Sequence, residues 1–152
     1  MKPLGGYWLV HNKYRFLLAV MEELAGNAHI AFEGDFSGLE IMKAAGIPEE
    51  KTPLLERRTS SPKLDSVVLP LESSTAKSVL RLFGRIGFQR RKALRRIVHV
   101  QIEKGGRLEF AAYDNFDAGI YFGPAIPWKL LENLTSRGIL TRTDRYLGRY
   151  LN

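Results

Sequence analysis

The chain has 152 residues, of which 23 are Lys or Arg and 16 are Asp or Glu, so its formal charge is +7 at neutral pH. Its length suits one ordinary domain, and its 45% hydrophobic content excludes a disordered chain. The lack of cysteine excludes a disulfide scaffold and cysteine-ligated zinc, and no apolar run approaches the roughly twenty residues that span a bilayer. We therefore expect one domain over residues 1–152, with no cofactor and a cytoplasmic location.

The first quarter of the chain alternates helical and extended patterns. Asn12 is a suitable N-cap for a helix over residues 13–25, and Gly26 is suited to end it. Residues 29–33 have the composition of a short strand. A Ser-x-x-Glu capping box that begins at Ser37 predicts a second helix.

The middle of the chain begins with its longest irregular segment, residues 47–65, which contains three prolines. Residues 66–71 are rich in β-formers and predict a strand. The polar run at 73–75 offers N-caps for a third helix over residues 76–86, and Gly87 is suited to end it.

The clearest hairpin surrounds Gly105-Gly106. A two-residue turn there would pair Ile102 with Glu109 and would mix polar and apolar side chains on each face. A three-residue loop that also contains the preceding lysine pairs Ile102 with Leu108 and separates the faces, so we predict that loop. The predicted buried face comprises Val98, Val100, Ile102, Leu108, Phe110 and Ala112, and the predicted wetter face comprises Gln101, Glu103, Arg107 and Glu109.

Pro127 fits the start of a last helix over residues 128–137, which Gly138 would end. The order helix, strand, helix, loop, strand, helix, hairpin, helix predicts an α+β domain. Its sheet would be mainly antiparallel and packed by about four helices. A βαβ crossover, and hence a mixed sheet, is the alternative.

The positive charge is concentrated in one segment. Residues 73–102 hold eight basic and no acidic residues, which leaves 15 basic and 16 acidic residues in the rest of the chain. Such localised charge predicts a docking surface for an acidic partner, whereas the alternative is a solvated face balanced by acids from elsewhere in the chain. The predicted partner-binding residues are Lys77, Arg81, Arg85, Arg90, Arg91, Lys92, Arg95 and Arg96.

Two classes of binding function follow from this segment. The first hypothesis is a non-catalytic protein whose basic surface binds an acidic protein, in the manner of bacterial immunity or antitoxin-like inhibitors. The alternative is a nucleic-acid-binding protein that uses residues 77–96 and an Arg/Tyr tail, although no nucleic-acid motif occurs. Phe83 and Phe88 are the aromatic residues of the basic segment, but Phe83 belongs to a core stripe. The tail contains Arg142, Arg145, Tyr146, Arg149 and Tyr150.

A third hypothesis is an enzyme that acts on an anionic substrate through Glu33 and Asp35, which flank a glycine at the end of a strand. Asp114 is a further candidate, but ordinary turn chemistry also accounts for these carboxylates. His99 alternates with two apolar residues, which predicts a surface or inter-strand histidine on the outer face of the hairpin. No zinc-type spacing or nucleophile motif occurs, so we predict no metal site and no catalytic residues.

Overall fold

A computed structural model of the chain describes residues 7–38, 55, 58, 64–83, 97–117 and 119–143, and the backbone of residues 90–91 and 94–95. The helices are α1 (Lys13–Leu24), α2 (Ala76–Arg81) and α3 (Trp128–Ser136). The strands are β1 (Tyr7–Val10), β2 (Ala28–Gly34), β3 (Asp65–Leu71), β4 (Arg90–Arg91), β5 (Leu94–Arg95), β6 (Ile97–Lys104), β7 (Arg107–Ala112), β8 (Ile120–Phe122) and β9 (Leu140–Thr143). The predicted α+β class is confirmed.

Three helices lie in the described part of the chain, where the sequence predicts about four. The helix predicted from the capping box at Ser37 falls largely outside the described residues. The helix α1 begins after Asn12, whose side-chain oxygen accepts a hydrogen bond of 3.0 Å from the backbone N–H of Arg15, as the N-cap prediction requires. The helix α2 ends at Arg81, five residues before the predicted end.

Five strands form one sheet in the order β3-β2-β6-β7-β8, and every neighbouring pair is antiparallel. The mixed-sheet alternative is therefore wrong for this sheet. Two further ribbons, β1–β9 and β4–β5, are also antiparallel. The strands β1, β8 and β9 and the β4–β5 ribbon are not among the elements predicted from the sequence.

The core lies between α1 and one face of the five-stranded sheet, called the inner face here. Phe16 of α1 is fully buried and contacts the rings of Phe110, Phe116 and Phe122 with centroid distances of 5.7–6.2 Å. Phe83, just after α2, packs 4.4 Å from the ring of Phe32 on β2. Each such side chain contributes roughly 1.5–3 kcal/mol by burial, so this face supplies most of the apolar stabilisation.

The hairpin between β6 and β7 differs from the prediction. Lys104 is opposite Arg107, so Gly105 and Gly106 form a two-residue turn with φ of +58° and +81°, and the three-residue loop is wrong. Both positive φ angles match a type I′ turn, whose twist suits a hairpin. A bulge then places Ile102 opposite Phe110, which restores the apolar alignment that the plain two-residue turn would lose.

The burial of the hairpin also differs in part. Val100, Ile102, Phe110 and Ala112 are buried as predicted, whereas Val98 and Leu108 are half-buried. The wetter face is wrong at three positions, because Gln101, Glu103 and Glu109 are all buried, and right at Arg107, which is exposed. The second face of the sheet, called the outer face here, is not open to water throughout: Leu55 packs with Ala31 and Val68 and is fully buried there, and Glu109 accepts a hydrogen bond from the N–H of Ala125.

Candidate functional site

The predicted docking residues are described in part. Lys77 and Arg81 lie four residues apart on α2 and are both exposed. Among the residues that the structure describes, neither takes part in an ion pair. The side chains of the other six predicted residues lie outside the described part of the chain: Arg85, Arg90, Arg91, Lys92, Arg95 and Arg96.

The backbone register of the β4–β5 ribbon adds one fact about this segment. Arg90 is directly opposite Arg95, and Arg91 is opposite Leu94.

Among the described residues, basic side chains are exposed more often than acidic side chains. Ten basic residues have described side chains and eight of these are exposed, whereas only four of eleven acidic residues are exposed. The exposed basic residues are Arg15, Arg58, Lys77, Arg81, Arg107, Lys129, Arg137 and Arg142, and the exposed acidic residues are Glu22, Glu23, Glu72 and Glu132. The exposed charged side chains are therefore mostly basic, although the described residues include slightly more acidic than basic side chains.

Several carboxylates are not exposed, and their oxygens accept hydrogen bonds from backbone N–H groups of loops. Oε1 of Glu33 accepts a hydrogen bond of 2.7 Å from the N–H of Arg58, and Oε1 of Glu109 accepts one of 3.0 Å from the N–H of Ala125. Asp65 does the same for the N–H of Phe36 at 2.9 Å. Hydrogen bonds to charged groups contribute about 1.5–3 kcal/mol each, so these acids hold loops on the sheet.

The outer face carries two His–Glu pairs at equivalent places on β2 and β6. His29 is opposite Glu103, with 3.4 Å between Nδ1 and Oε1, and Glu33 is opposite His99, with 3.6 Å between Oε2 and Nε2. Gln101 lies between them and is buried. The first pair is half open to solvent at the histidine, whereas both members of the second are buried.

The ring of His99 is held in one neutral form. Its Nδ1 accepts a hydrogen bond of 3.3 Å from the N–H of Asp114, so its proton lies on Nε2 and faces Glu33. Burial lowers the pKa of His99 below its ordinary value of 6.5, and the nearby Arg58 lowers it further. The carboxylates of Glu33 and Asp114 oppose this shift without reversing it, so His99 is neutral at pH 7.

The loop that follows β7 has an unusual backbone. Asp114, Asn115 and Phe116 have consecutive φ angles of +51°, +59° and +68°, in the left-handed region that L-residues rarely adopt. Asn115 is fully buried, and its backbone and side-chain N–H groups donate hydrogen bonds of 2.7 and 2.6 Å to two carbonyls near the start of β6. Its side-chain oxygen accepts a hydrogen bond from Lys13 of α1. These bonds compensate the backbone strain.

The candidate carboxylates of the sequence are brought together only in part. Glu33 and Asp114 both act on His99, whereas Asp35 accepts a hydrogen bond of 3.3 Å from the N–H of Ser37 and is not among the charges that shift His99. The prediction of an outer-face histidine is correct, and of its two alternatives the inter-strand position opposite Glu33 is confirmed, whereas the surface position is wrong because His99 is only 8% exposed. Among the described residues, no group of three or more ligating side chains could hold a metal ion.

A sequence signal for the paired histidines exists and was missed. Both central strands contain a histidine followed four residues later by a glutamate: His29 and Glu33 on β2, His99 and Glu103 on β6. When two such strands pair in antiparallel register, each histidine comes opposite the glutamate of the other strand. The repeated spacing therefore predicts both pairs, provided that the pairing of these strands is assumed.

Comparison of the chain with protein-family models, with curated proteins and with solved structures finds no match. In the part of the chain that is described, no helix has the length and apolar character needed to cross a bilayer.

Proposed function

We propose that this chain is a non-catalytic binding protein that docks on an acidic surface of another protein. The docking surface, called the basic face here, consists of Lys77 and Arg81 of α2 together with the β4–β5 ribbon. The observation that carries the proposal is the unequal exposure of charge: eight of the ten described basic side chains are exposed, whereas seven of the eleven described carboxylates are not. Electrostatic complementarity of this kind speeds association and excludes wrong partners.

A protein partner is preferred to nucleic acid because the described residues of the basic face include no exposed aromatic side chain. The exposed large hydrophobic residues of the described chain, Tyr7, Tyr121 and Trp128, lie on β1, β8 and α3. Phe83, the aromatic residue nearest to α2 in sequence, is buried against Phe32. Single-stranded nucleic acid is generally bound by aromatic platforms beside basic groups, and the described part of the basic face offers none.

The finer parts of the proposal are an inhibitor of the immunity or antitoxin type and a cytoplasmic location, which the lack of cysteine supports. The Glu33–His99 pair has a simpler role than catalysis. Glu33 binds the backbone of Arg58, and His99 binds the backbone of Asp114, so both side chains are engaged in holding segments of the chain. An enzyme that uses Glu33 and Asp35 on an anionic substrate is the less favoured proposal.

Charge reversal on α2 tests the proposal. We expect the double variant Lys77→Glu/Arg81→Glu to lose a protein partner that the native chain retains from nuclease-treated lysate, while its thermal midpoint is unchanged within a few degrees. Arg107→Glu is the matched control, because Arg107 is equally exposed but lies at the β6–β7 turn. Equal capture by the double variant and the native chain would exclude the basic face as the docking surface.

Salt dependence separates the two partner classes. Duplex binding through six of the basic side chains would give a slope of log K against log salt near −5, at about −0.9 per phosphate contact. We expect the chain to bind duplex DNA or RNA no tighter than about 10 μM at physiological salt, in the range of non-specific association. Sub-micromolar affinity with the steep slope would replace the acidic protein with nucleic acid as the partner of the basic face.

A further inference from the structure

A second exposed surface lies at the β8 edge of the sheet. This edge is three strand positions from β2, the strand against which Phe83 packs. Trp8 of β1 packs edge-on against Phe122 of β8 at 5.7 Å and lies 6.3 Å from the ring of Trp128, the first residue of α3. The guanidinium carbon of Arg142 is 5.9 Å from the Trp8 ring and 5.7 Å from the Trp128 ring. The side chains of Trp8, Trp128 and Arg142 are called the Trp–Arg stack here.

The two strands of the β1–β9 ribbon hold the Trp–Arg stack in place. Trp8 is directly opposite Arg142 in the register of this ribbon. The ribbon is fixed beside them by a hydrogen bond of 2.6 Å between the side chains of His11 and Thr141. Trp8 is buried and anchors the ribbon on the sheet, whereas Trp128 keeps 40% of its surface exposed. An exposed indole that is positioned by a buried one is a preformed platform rather than a loose surface residue.

The polar groups around this platform are mostly donors or positive charges. The N-cap residue of α3 is Pro127, which supplies no side-chain cap, and the first turn of the helix has no acidic residue, so the positive end of the helix dipole favours an anion there. Lys129 in that turn is exposed, and the acidic residue of this helix, Glu132, comes one turn later. The surface therefore suits a flat ring that is joined to a negatively charged group.

We infer that the Trp–Arg stack binds single-stranded nucleic acid, with one base stacked on the exposed indole of Trp128 and the adjoining phosphates held by Arg142 and Lys129. The exposed ring accepts any base by its π-face, and the neighbouring guanidinium adds a phosphate contact and a cation–π contact. An acidic peptide would meet the positive charge but would leave the flat aromatic surface uncovered. This site goes beyond the proposed function and is independent of the basic face.

Titration of a labelled ten-nucleotide single strand of thymidine or uridine by the full-length chain tests the inference. We expect a dissociation constant of about 10–100 μM at low salt, in the range of non-specific association. Two phosphate contacts on a single strand predict a log K versus log salt slope near −1.4, at about −0.7 per contact. This slope is much shallower than the slope expected for a duplex on the basic face.

Variants of the exposed aromatics locate the binding. Trp128→Ala should weaken the oligonucleotide by about 5- to 150-fold, as loss of one stacked base does elsewhere, and Trp128→Phe should restore most of the affinity. Tyr121→Ala is the matched control, because Tyr121 is comparably exposed on β8, and it should bind like the native chain. Native thermal midpoints of both Trp128 variants exclude loss by unfolding.

Two outcomes overturn the inference. The first is no measurable binding of the oligonucleotide by the native chain, and the second is native affinity in Trp128→Ala. If the second is accompanied by loss of binding in Lys77→Glu/Arg81→Glu, the nucleic acid binds the basic face instead. Poly-glutamate that binds in a Trp128-dependent manner while the oligonucleotide does not would assign the stack to an acidic protein. None of these depends on capture of the protein partner proposed for the basic face.

Discussion

The two faces of the central sheet are both buried, but different interactions bury them. On the inner face, Phe32, Val100 and Phe110 pack against the apolar stripe of α1. On the outer face of the same strands, Glu33, His99 and Gln101 are buried with nearly as little exposure. The strands therefore alternate between side chains that need only apolar neighbours and side chains that need hydrogen-bond partners.

The two faces therefore have different effects: the inner face stabilises the sheet, and the outer face fixes the positions of loops. Apolar burial is proportional to area and is non-directional, so the inner face can stabilise the sheet without fixing any particular loop. Buried polar groups require partners with defined geometry, and here those partners are backbone groups of Arg58, Asp114 and Ala125. The outer face therefore determines where three segments of the chain lie.

The largest expected effect is on the inner face. Phe110→Ala should lower the free energy of unfolding by about 3–5 kcal/mol, because the ring is fully buried beside Phe16 and its removal leaves a cavity. Denaturant unfolding followed by circular dichroism measures the change. Tyr121→Ala on the neighbouring strand is the control, and it should change stability by about 0.5 kcal/mol or less because that ring is exposed. A loss below 1 kcal/mol in the first variant would show that the inner face is loosely packed.

A smaller effect is expected on the outer face. Glu33→Ala removes the acceptor for the N–H of Arg58 and the carboxylate that faces His99, and it should cost about 1–3 kcal/mol, the usual penalty for buried donors without partners. Faster amide exchange at Arg58 should accompany the loss. The exposed Glu72 provides the matched control as Glu72→Ala. Equal stability of the two variants would mean that the contacts of the Glu33 carboxylate with Arg58 and His99 do not stabilise the fold.

The effect of His99 on the pH dependence of stability should be smaller than the effect of Glu33→Ala, and the direction of this dependence is defined. Burial holds the pKa of His99 in the folded chain below 6.5, so the unfolded chain binds the proton more readily. The stabilisation is therefore complete above pH 6.5 and is lost as the pH falls from there towards the lower folded pKa. Urea unfolding of the native chain and of His99→Gln between pH 7.5 and 5 should show this slope only in the native chain. A native stability that rises on acidification over that range would contradict the neutral form of His99.

The smallest effect is expected outside both faces. Arg81→Glu should change the free energy of unfolding by about 0.5 kcal/mol or less, because the side chain is exposed on α2 and takes part in no described ion pair. Thermal denaturation at two salt concentrations measures it. A loss well above 1 kcal/mol would show that the basic face supports the fold, and would weaken its assignment to docking.

The predictions from sequence were most accurate where a local pattern is sufficient. The helix α1 with its Asn12 cap, the strand at 66–71 and the last helix near Trp128 were all placed within one or two residues. The same holds for the apolar positions Val100, Ile102 and Phe110. Each depends on periodicity or on a cap within one turn, which neighbouring residues decide by themselves.

The errors occurred where one residue of register or one covering segment matters. The preference for a three-residue loop at Gly105-Gly106 assumed an unbroken ladder, and a bulge opposite Ile102 supplied the alignment instead. The polar face of the hairpin was expected to meet water, but Leu55 packs against Ala31 and Val68 on the outer face, and the N–H of Ala125 binds Glu109. Polar side chains in alternation predict an open face only when no other part of the chain returns to cover it.

The sequence by itself determined the α+β class, the concentration of positive charge in residues 73–102 and the apolar stripe of α1, because composition and short-range spacing decide these properties. Only the tertiary structure decided which charges remain at the surface, since the withdrawal of Glu33 and Glu109 depends on loops that come from distant parts of the chain. The pairing of His99 with Glu33 has the same origin. Strand register and loop contacts join residues far apart in the chain, and no local pattern contains that information.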